Sequence, residues 1–428
     1  MASVDPSIIL HPNDLSAVPS ILAAIQTHST PLLSPSPSPA SIEDARLSLL
    51  QSARALVLAL EKPRETMIRH CWADNTAFSI LSLGISTNIW SALASSPSPQ
   101  SVPEIASKTT SPTLDPDLLS RLLKHVAAMG YIHETSHNTY APTNFIRSLT
   151  IPIIGDGYRI FTGPGTTGGL ERVVLSLPSY LERNGFQTPQ GIADGPLQYA
   201  HETKLNMFEW LHANPPAGEQ FNHHMGGYAN GRPSWYEEGF YPVEERLLGG
   251  MEEGGAVLVD VGGGLGHDLE GFDKVWGERV GKGRLVLQDL ERVISQIGEG
   301  GGGRVERMVY DFYTEQPVKG ARAYYMHSVL HDWPDEVCVR ILDNIKAAMK
   351  PGYSRLLINE NVIPDTGAHW ETTGLDVMLA CLLSSRERTR VEWVRLLEEK
   401  AGLRVVKIYH HRDNPRSGVE SVVECEFR

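Results

Sequence analysis

Beyond Glu252 the chain repeats one pattern: a long, uninterrupted apolar run, a helical stretch, then another run. The runs are AVLVDVGGG (256–264), RLVLQDL (284–290), ARAYYMHSVL (321–330) and SRLLINENVI (354–363). The clearest helical pattern between them is DEVCVRILDNIKAAMKPG (335–352). Strands without apolar–polar alternation need cover on both faces, and intervening helices supply it. The runs therefore predict a parallel sheet buried on both sides, in an α/β, doubly wound domain. Ligands of open sheets of this class bind beyond the carboxyl ends of the strands, so chemistry is expected there.

The first run ends in Asp260-Val261-Gly262-Gly263-Gly264-Leu265-Gly266 and precedes a helical stretch, DLEGFDKVW. Glycines at such a turn let a ligand approach the backbone closely. Gly262, Gly264 and Gly266 give G-x-G-x-G, whereas a dinucleotide calls for G-x-G-x-x-G with pyrophosphate at the helix N-terminus. S-adenosyl-L-methionine (SAM) carries no phosphate, and its amino-acid end needs close backbone contact and a nearby acid. The second run ends in Asp289, whose carboxylate there is suited to two ribose hydroxyls, or alternatively to capping a helix. After RMV, Asp311 is suited to an adenine amino group and Phe312 to its ring.

Together, LVDVGGGLGHDL, LVLQDL, YDFYTEQPVKGARAYYMHSVLHDWPDE and LLINENVIPD resemble the plant caffeic-acid-type and fungal aromatic O-methyltransferase family. The resemblance spans roughly residues 60–428 and is densest from 255 to 395. It implies a Rossmann-like SAM-dependent catalytic domain preceded by an α-helical winged-helix dimerisation domain. It further implies a phenolic or similar hydroxyl as acceptor, and a homodimer. Gly262, Gly263, Gly264, Asp289, Asp311 and Phe312 would contact the cofactor. His327 stands where plant members carry Lys, four residues before the catalytic His, and joins the cofactor side.

His331-Asp332-Trp333 follows the run that ends at Leu330, on the ligand side of the sheet. Transfer of a methyl group to a phenol of pKa about 10 profits from a base, and His is the natural choice. The family pattern adds two acids to orient the ring, Glu360 in INENVIPD and Glu387 in SRERTRVEW. Phe221 and Met225 match acceptor positions of the family. Trp210, Met378 and Asp332 are further candidates for the acceptor wall. The pairs His223-His224 and His410-His411 are adjacent in sequence, so their side chains diverge, and no metal site is expected.

Upstream, residues 29–40 (STPLLSPSPSPA) are rich in Pro and Ser and read as a flexible linker after a short arm. Helical spacing runs from Ile42 to Leu60 and, with breaks, from Pro63 to Leu93. Residues 102–109 and 115–130 then read as helices and 131–143 as a hairpin, the winged-helix order. Four segments are expected: an arm (1–40), a winged-helix-like dimerisation domain (41–155), a helical linker and substrate-pocket region (156–250) and the catalytic domain (251–428).

Composition excludes several other functions. The net charge of -13 repels phosphate backbones, and the presumptive recognition helix offers only Arg121 and Lys124 as strong cations. A nucleic-acid partner is therefore not expected. Four scattered cysteines, without a CxxC pair, indicate reduced thiols. No apolar run approaches the ~20 residues of a membrane span, and no basic-then-apolar leader is visible, so a cytoplasmic enzyme is expected. The competing reading is a SAM-bound pericyclase or dehydratase on the same scaffold, acting on a secondary-metabolite intermediate.

Overall fold

The apolar runs pair in a seven-stranded sheet. Its strands are β1 (Ala256–Val261), β2 (Arg284–Asp289), β3 (Val305–Val309), β4 (Ala323–His327), β5 (Arg355–Glu360), β6 (Arg404–His410) and β7 (Ser421–Glu426), in the order β6-β7-β5-β4-β1-β2-β3. The structure is a computed structural model and describes residues 4–33, 39–111, 113–163, 168–298, 304–414 and 417–427.

β1 to β5 pair with one another in parallel, as expected. The sheet is not parallel throughout, because β7 runs antiparallel to both β5 and β6. Neither β6 nor β7 stands out in the sequence. Charged residues interrupt both, and the fully buried Glu424 in β7 is accommodated by Arg246 and Arg355 at 2.6 and 2.7 Å.

Alternate residues of each strand face opposite layers. Val259, Val261, Tyr324, Met326, Leu356 and Ile358 pack with Cys338, Ile341, Leu342 and Ile345 of helix Asp335–Ala348. On the other face Leu258, Leu285, Leu287, Tyr325 and Leu357 meet Leu269, Phe272 and Val280 of helix His267–Val280. Cover on both faces explains why these strands read as continuous apolar runs. The strand order reverses between β1 and β4. The segments that leave their carboxyl ends, the glycine loop and the His331 loop, therefore flank one crevice.

The chain divides into two units, Met1–Tyr158 and Arg159–Arg428. The division falls three residues beyond the expected boundary between 155 and 156. In the second unit, Leu197, Met207 and Trp210 share an apolar cluster with Cys381 and Leu382 of helix Trp370–Leu383.

In the first unit, helices Val102–Ala106 and Pro116–Ala128 are followed by the hairpin Ile132–Ser136/Thr139–Pro142, the order expected, and Gln100–Ser101 adds a third strand. The arm before it needs correction. Val18–Ser29 is a helix lying along helix Pro39–Leu60, with the Asn13 and Asp14 amides donating to Glu61 and Ala59 carbonyls at 3.0 Å. His28 and Ser52 join the two helices at 3.0 Å. Thr30–Leu33 is a 3-10 turn, and residues 34–38 of the expected linker lie outside the described residues. The helical spacing of Ile21, Ala24 and Ile25, all partly buried, supplies a face to pack, which the nearby Pro and Ser obscure. Among the described residues no helix is long and apolar enough to cross a membrane.

Candidate active site

The glycine loop turns sharply back over the end of β2. The Gly262 and Gly263 amides donate to the Gln288 carbonyl at 2.8 and 3.2 Å. Gly262 and Gly264 take φ of +75° and +59°, where a side chain is strained. A Cβ at Gly263 would collide with the Asp260 carboxyl group and Leu287. Asp260 is buried, and neither of its oxygens has a hydrogen-bond partner among the described residues. Burial, then the charge of Asp268, pushes its carboxyl well above the ordinary range.

Asp289 closes the loop from the other side. Its carboxylate accepts the Gly264 amide at 2.9 Å and the Leu290 amide at 2.7 Å. Leu290, not Asp289, holds the N-cap position of the short helix that follows, so the capping alternative for Asp289 falls away. Asp311 is exposed and accepts the Tyr313 amide at 2.9 Å. Phe312 is half-buried, edge-on to Trp333 at 6.1 Å between ring centroids. Phe312 thus meets the His331 loop at Trp333, and neither Asp311 nor Phe312 enters its charge cluster.

At the end of β4, His327 is held on both ring nitrogens: Nδ1 lies 2.6 Å from Asp268 and Nε2 3.4 Å from Glu420. Burial disfavours its cationic form, but Glu420 and Asp268 override that and hold its pKa well above the usual value. Glu420 also faces Arg232 at 3.2 Å, which in turn pairs with Glu371 at 2.7 Å.

His331 is buried four residues later, and its Nδ1 lies 3.0 Å from Glu387 Oε1 and 3.4 Å from Glu360 Oε2. Its Nε2 is 3.5 Å from Asp332, too far for a good hydrogen bond. Burial works against protonation, but Glu360, Asp332 and Glu387 outweigh it and raise the imidazole to about 10. Burial lifts Glu360 to about 7 and Asp332 to about 6, the His331 charge resisting in both.

Backbone pairing brings the two acids together. After β5, Val362–Ile363 runs parallel to Arg388–Thr389, which draws Glu387 beside Glu360. Glu360 Oε1 accepts the amides of Val329, Leu330 and His331 at 3.0, 2.8 and 3.3 Å. Asn361 donates to Glu387 Oε1 at 2.9 Å, and the Ser385 hydroxyl donates to the His331 carbonyl. Sequence reasoning missed Asn361, Ser385, Asp268 and Glu420. Asn361 adjoins the expected acid and Asp268 opens the helix after the glycine loop, so both were within reach. Glu420 precedes a strand that the sequence conceals.

Trp210 is buried against the His201 ring at 4.4 Å, and Phe221 and Met378 pack on the same apolar cluster. Met225, one turn beyond Phe221 on helix Ala217–Ala229, is partly buried outside that cluster.

Residues 250–404 match the O-methyltransferase domain. Over 396 residues the chain is 36% identical to the O-methyltransferase mpaG of Penicillium brevicompactum, covering 90% of this chain and 93% of that one. The chain belongs to the O-methyltransferase family. This O-methyltransferase also resembles the crystal structure of OxaC in complex with SAH and oxaline (TM-score 0.79, 26% identity, 96% and 99% of the two chains covered). A solved pericyclic reaction enzyme is similar to the same degree (TM-score 0.80, 27% identity, 97% and 100% covered). The protein is a SAM-dependent O-methyltransferase acting on a small molecule.

Proposed function

We propose that this O-methyltransferase methylates a hydroxyl of an aromatic or polyketide-type molecule of secondary metabolism, with His331 as general base. The observation that carries this reading is the asymmetry of the buried His331 ring. Glu387 is hydrogen-bonded to Nδ1 with Glu360 beside it at 3.4 Å, whereas among the described residues Nε2 has only Asp332, at 3.5 Å. A ring oriented on one nitrogen and open on the other is the arrangement a base requires. At about 10, its pKa matches that of a phenol. Passing the acceptor proton to Nε2 is then nearly balanced, and the resulting imidazolium rests between two carboxylates.

The residues of the crevice fit SAM. Gly262, Gly263 and Gly264 leave room for close approach, Asp260 presents two buried oxygens without hydrogen-bond partners among the described residues, and Asp289 ends β2 beside them. Asp311, Phe312 and His327 complete the cofactor side in this assignment. When bound, SAM supplies an electrophilic methyl group on sulfur. The chain's own part is to hold donor and acceptor in line and take one proton, because charge is lost as the methyl moves and positioning dominates. Trp210, Phe221, Met225, Met378 and Asp332 form the acceptor wall. Exposed apolar side chains on the first unit's helices, among them Leu47, Leu50, Val57, Met67 and Trp72, support a homodimer, and the enzyme is assigned to the cytoplasm.

The likeness to a pericyclic reaction enzyme keeps a second reading in view, in which SAM is held without being consumed. The complete His331–Glu360–Glu387 cluster weighs for methyl transfer. A mass-spectrometric screen of aromatic and polyketide hydroxyl compounds with SAM separates the two. Methyl transfer gives a product heavier by one CH₂ and an equivalent of S-adenosylhomocysteine. Isomerisation or water loss without S-adenosylhomocysteine overturns it.

A further inference from the structure

We infer that Arg388 is a positioning residue of the methyl-transfer site, gripping the carbonyl side of the loop that carries His331 while Glu360 grips its amide side. This rests on the reading of His331 as the base. Arg388 is 1% exposed and is among the largest fully buried side chains. Its guanidinium donates to the Leu330 carbonyl at 3.0 Å and the Trp333 carbonyl at 2.9 Å, which bracket His331 on both sides. The same fork holds Asp335 at 3.1 and 2.9 Å, and its face lies over Trp393.

A planar fork can serve two carbonyls and a carboxylate at once, whereas an ammonium cannot. Glu360 takes three consecutive amides of the same loop. The peptides between thus lie with their dipoles running from a buried anion to a buried cation. In such a dry setting the two charges support each other, and removing one leaves the other costly to keep ionised.

The groups facing Glu360 are His331, Glu387, Asp332 and Arg388. Those facing Arg388 are Asp335, Cys338 and Glu360, with Lys400 and Arg386 on the far side of Asp335. Without the guanidinium, the Leu330 and Trp333 carbonyls lose this donor, and Glu360 holds the loop from its amide side alone.

The test needs no acceptor. The full-length protein is labelled with ¹³C-histidine, and the ring Cε1–H signal of His331, assigned by its loss in His331→Gln, is titrated with pH. Arg388→Gln and Arg388→Lys, neither of which offers the planar fork, should each lower the apparent pKa of His331 by about one unit or more, because the ring is then no longer held against Glu387 and Glu360. An unmoved signal in either variant overturns the inference. Should Arg388→Gln not fold, Arg388→Lys carries the test. Turnover of His331→Ala, measured in parallel, separates the failures. If that variant stays active, the base assignment fails and this inference with it. If it is inactive while the Arg388→Gln titration is unchanged, only the role of Arg388 fails.

Discussion

His327 and His331 lie four residues apart on one segment, the first half-buried and the second buried, and each has carboxylates against its ring. They differ in how many ring nitrogens the protein uses. His327 is closed, with Asp268 on Nδ1 and Glu420 on Nε2. His331 is open, with both acids on Nδ1 and Nε2 left to Asp332 at 3.5 Å. Raised basicity therefore does not set the two rings apart, since both have it. The second nitrogen does: on His327 it has Glu420 as a hydrogen-bond partner, and on His331 it has beside it, among the described residues, the charge of Asp332 alone. The His327 ring, its cationic form favoured by Glu420 and Asp268, ties the helix after the glycine loop to the end of β4, and the second nitrogen of His331 is the one that the proposed mechanism uses.

The sharpest way to break this contrast is His331→Ala. Turnover on the acceptor found by screening should fall by about 10²- to 10⁴-fold, the usual worth of a positioned base. SAM affinity by calorimetry should hardly change. Undiminished turnover would show that the open nitrogen does nothing.

The pH dependence sharpens the same point. A folded-state pKa of about 10 means that His331 carries its proton at neutral pH and must lose it to act. The rate at saturating substrates should therefore climb with pH, about tenfold per unit, and level off near pH 10. A profile already flat above pH 7 would mean that another group takes the proton.

The smallest expected effect is that of His327→Gln. The amide retains hydrogen-bonding capacity but gives up the cation between Asp268 and Glu420. SAM should bind about tenfold more weakly, roughly 1.4 kcal/mol, with the maximal rate within a few-fold of the parent. A loss of rate as large as that of His331→Ala would erase the distinction between the two rings.

Much of this was legible in the sequence because it rests on local signals. β1, β2, β4 and β5 are buried on both faces and read as unbroken apolar runs, and the glycine loop declares its own conformation. Glu360 and Glu387 came instead from the family resemblance, since nothing local shows that residues 27 apart converge. What escaped was long-range. β7 carries the buried Glu424, whose partners, Arg246 and Arg355, lie far away in the sequence, and β6 carries Arg404, which pairs with Glu426 of β7, so the strands do not look buried. Glu420 went unseen for the same reason. The N-terminal helix was hidden by a Pro/Ser stretch, where composition speaks for a linker and the packing face of Ile21, Ala24 and Ile25 speaks against it.

The short parallel pairing of Val362–Ile363 with Arg388–Thr389 sets terms for how this enzyme can diversify. It fastens both ends of the segment that includes helix Trp370–Leu383, and with it Met378, directly to the two acids beside His331. Lengthening or shortening that segment would shear Glu387 away from Glu360. A lineage exploring new acceptors is thereby steered toward exchanging side chains along the helix and away from altering its length. Pocket shape can drift while the register of the proton-handling groups is inherited intact.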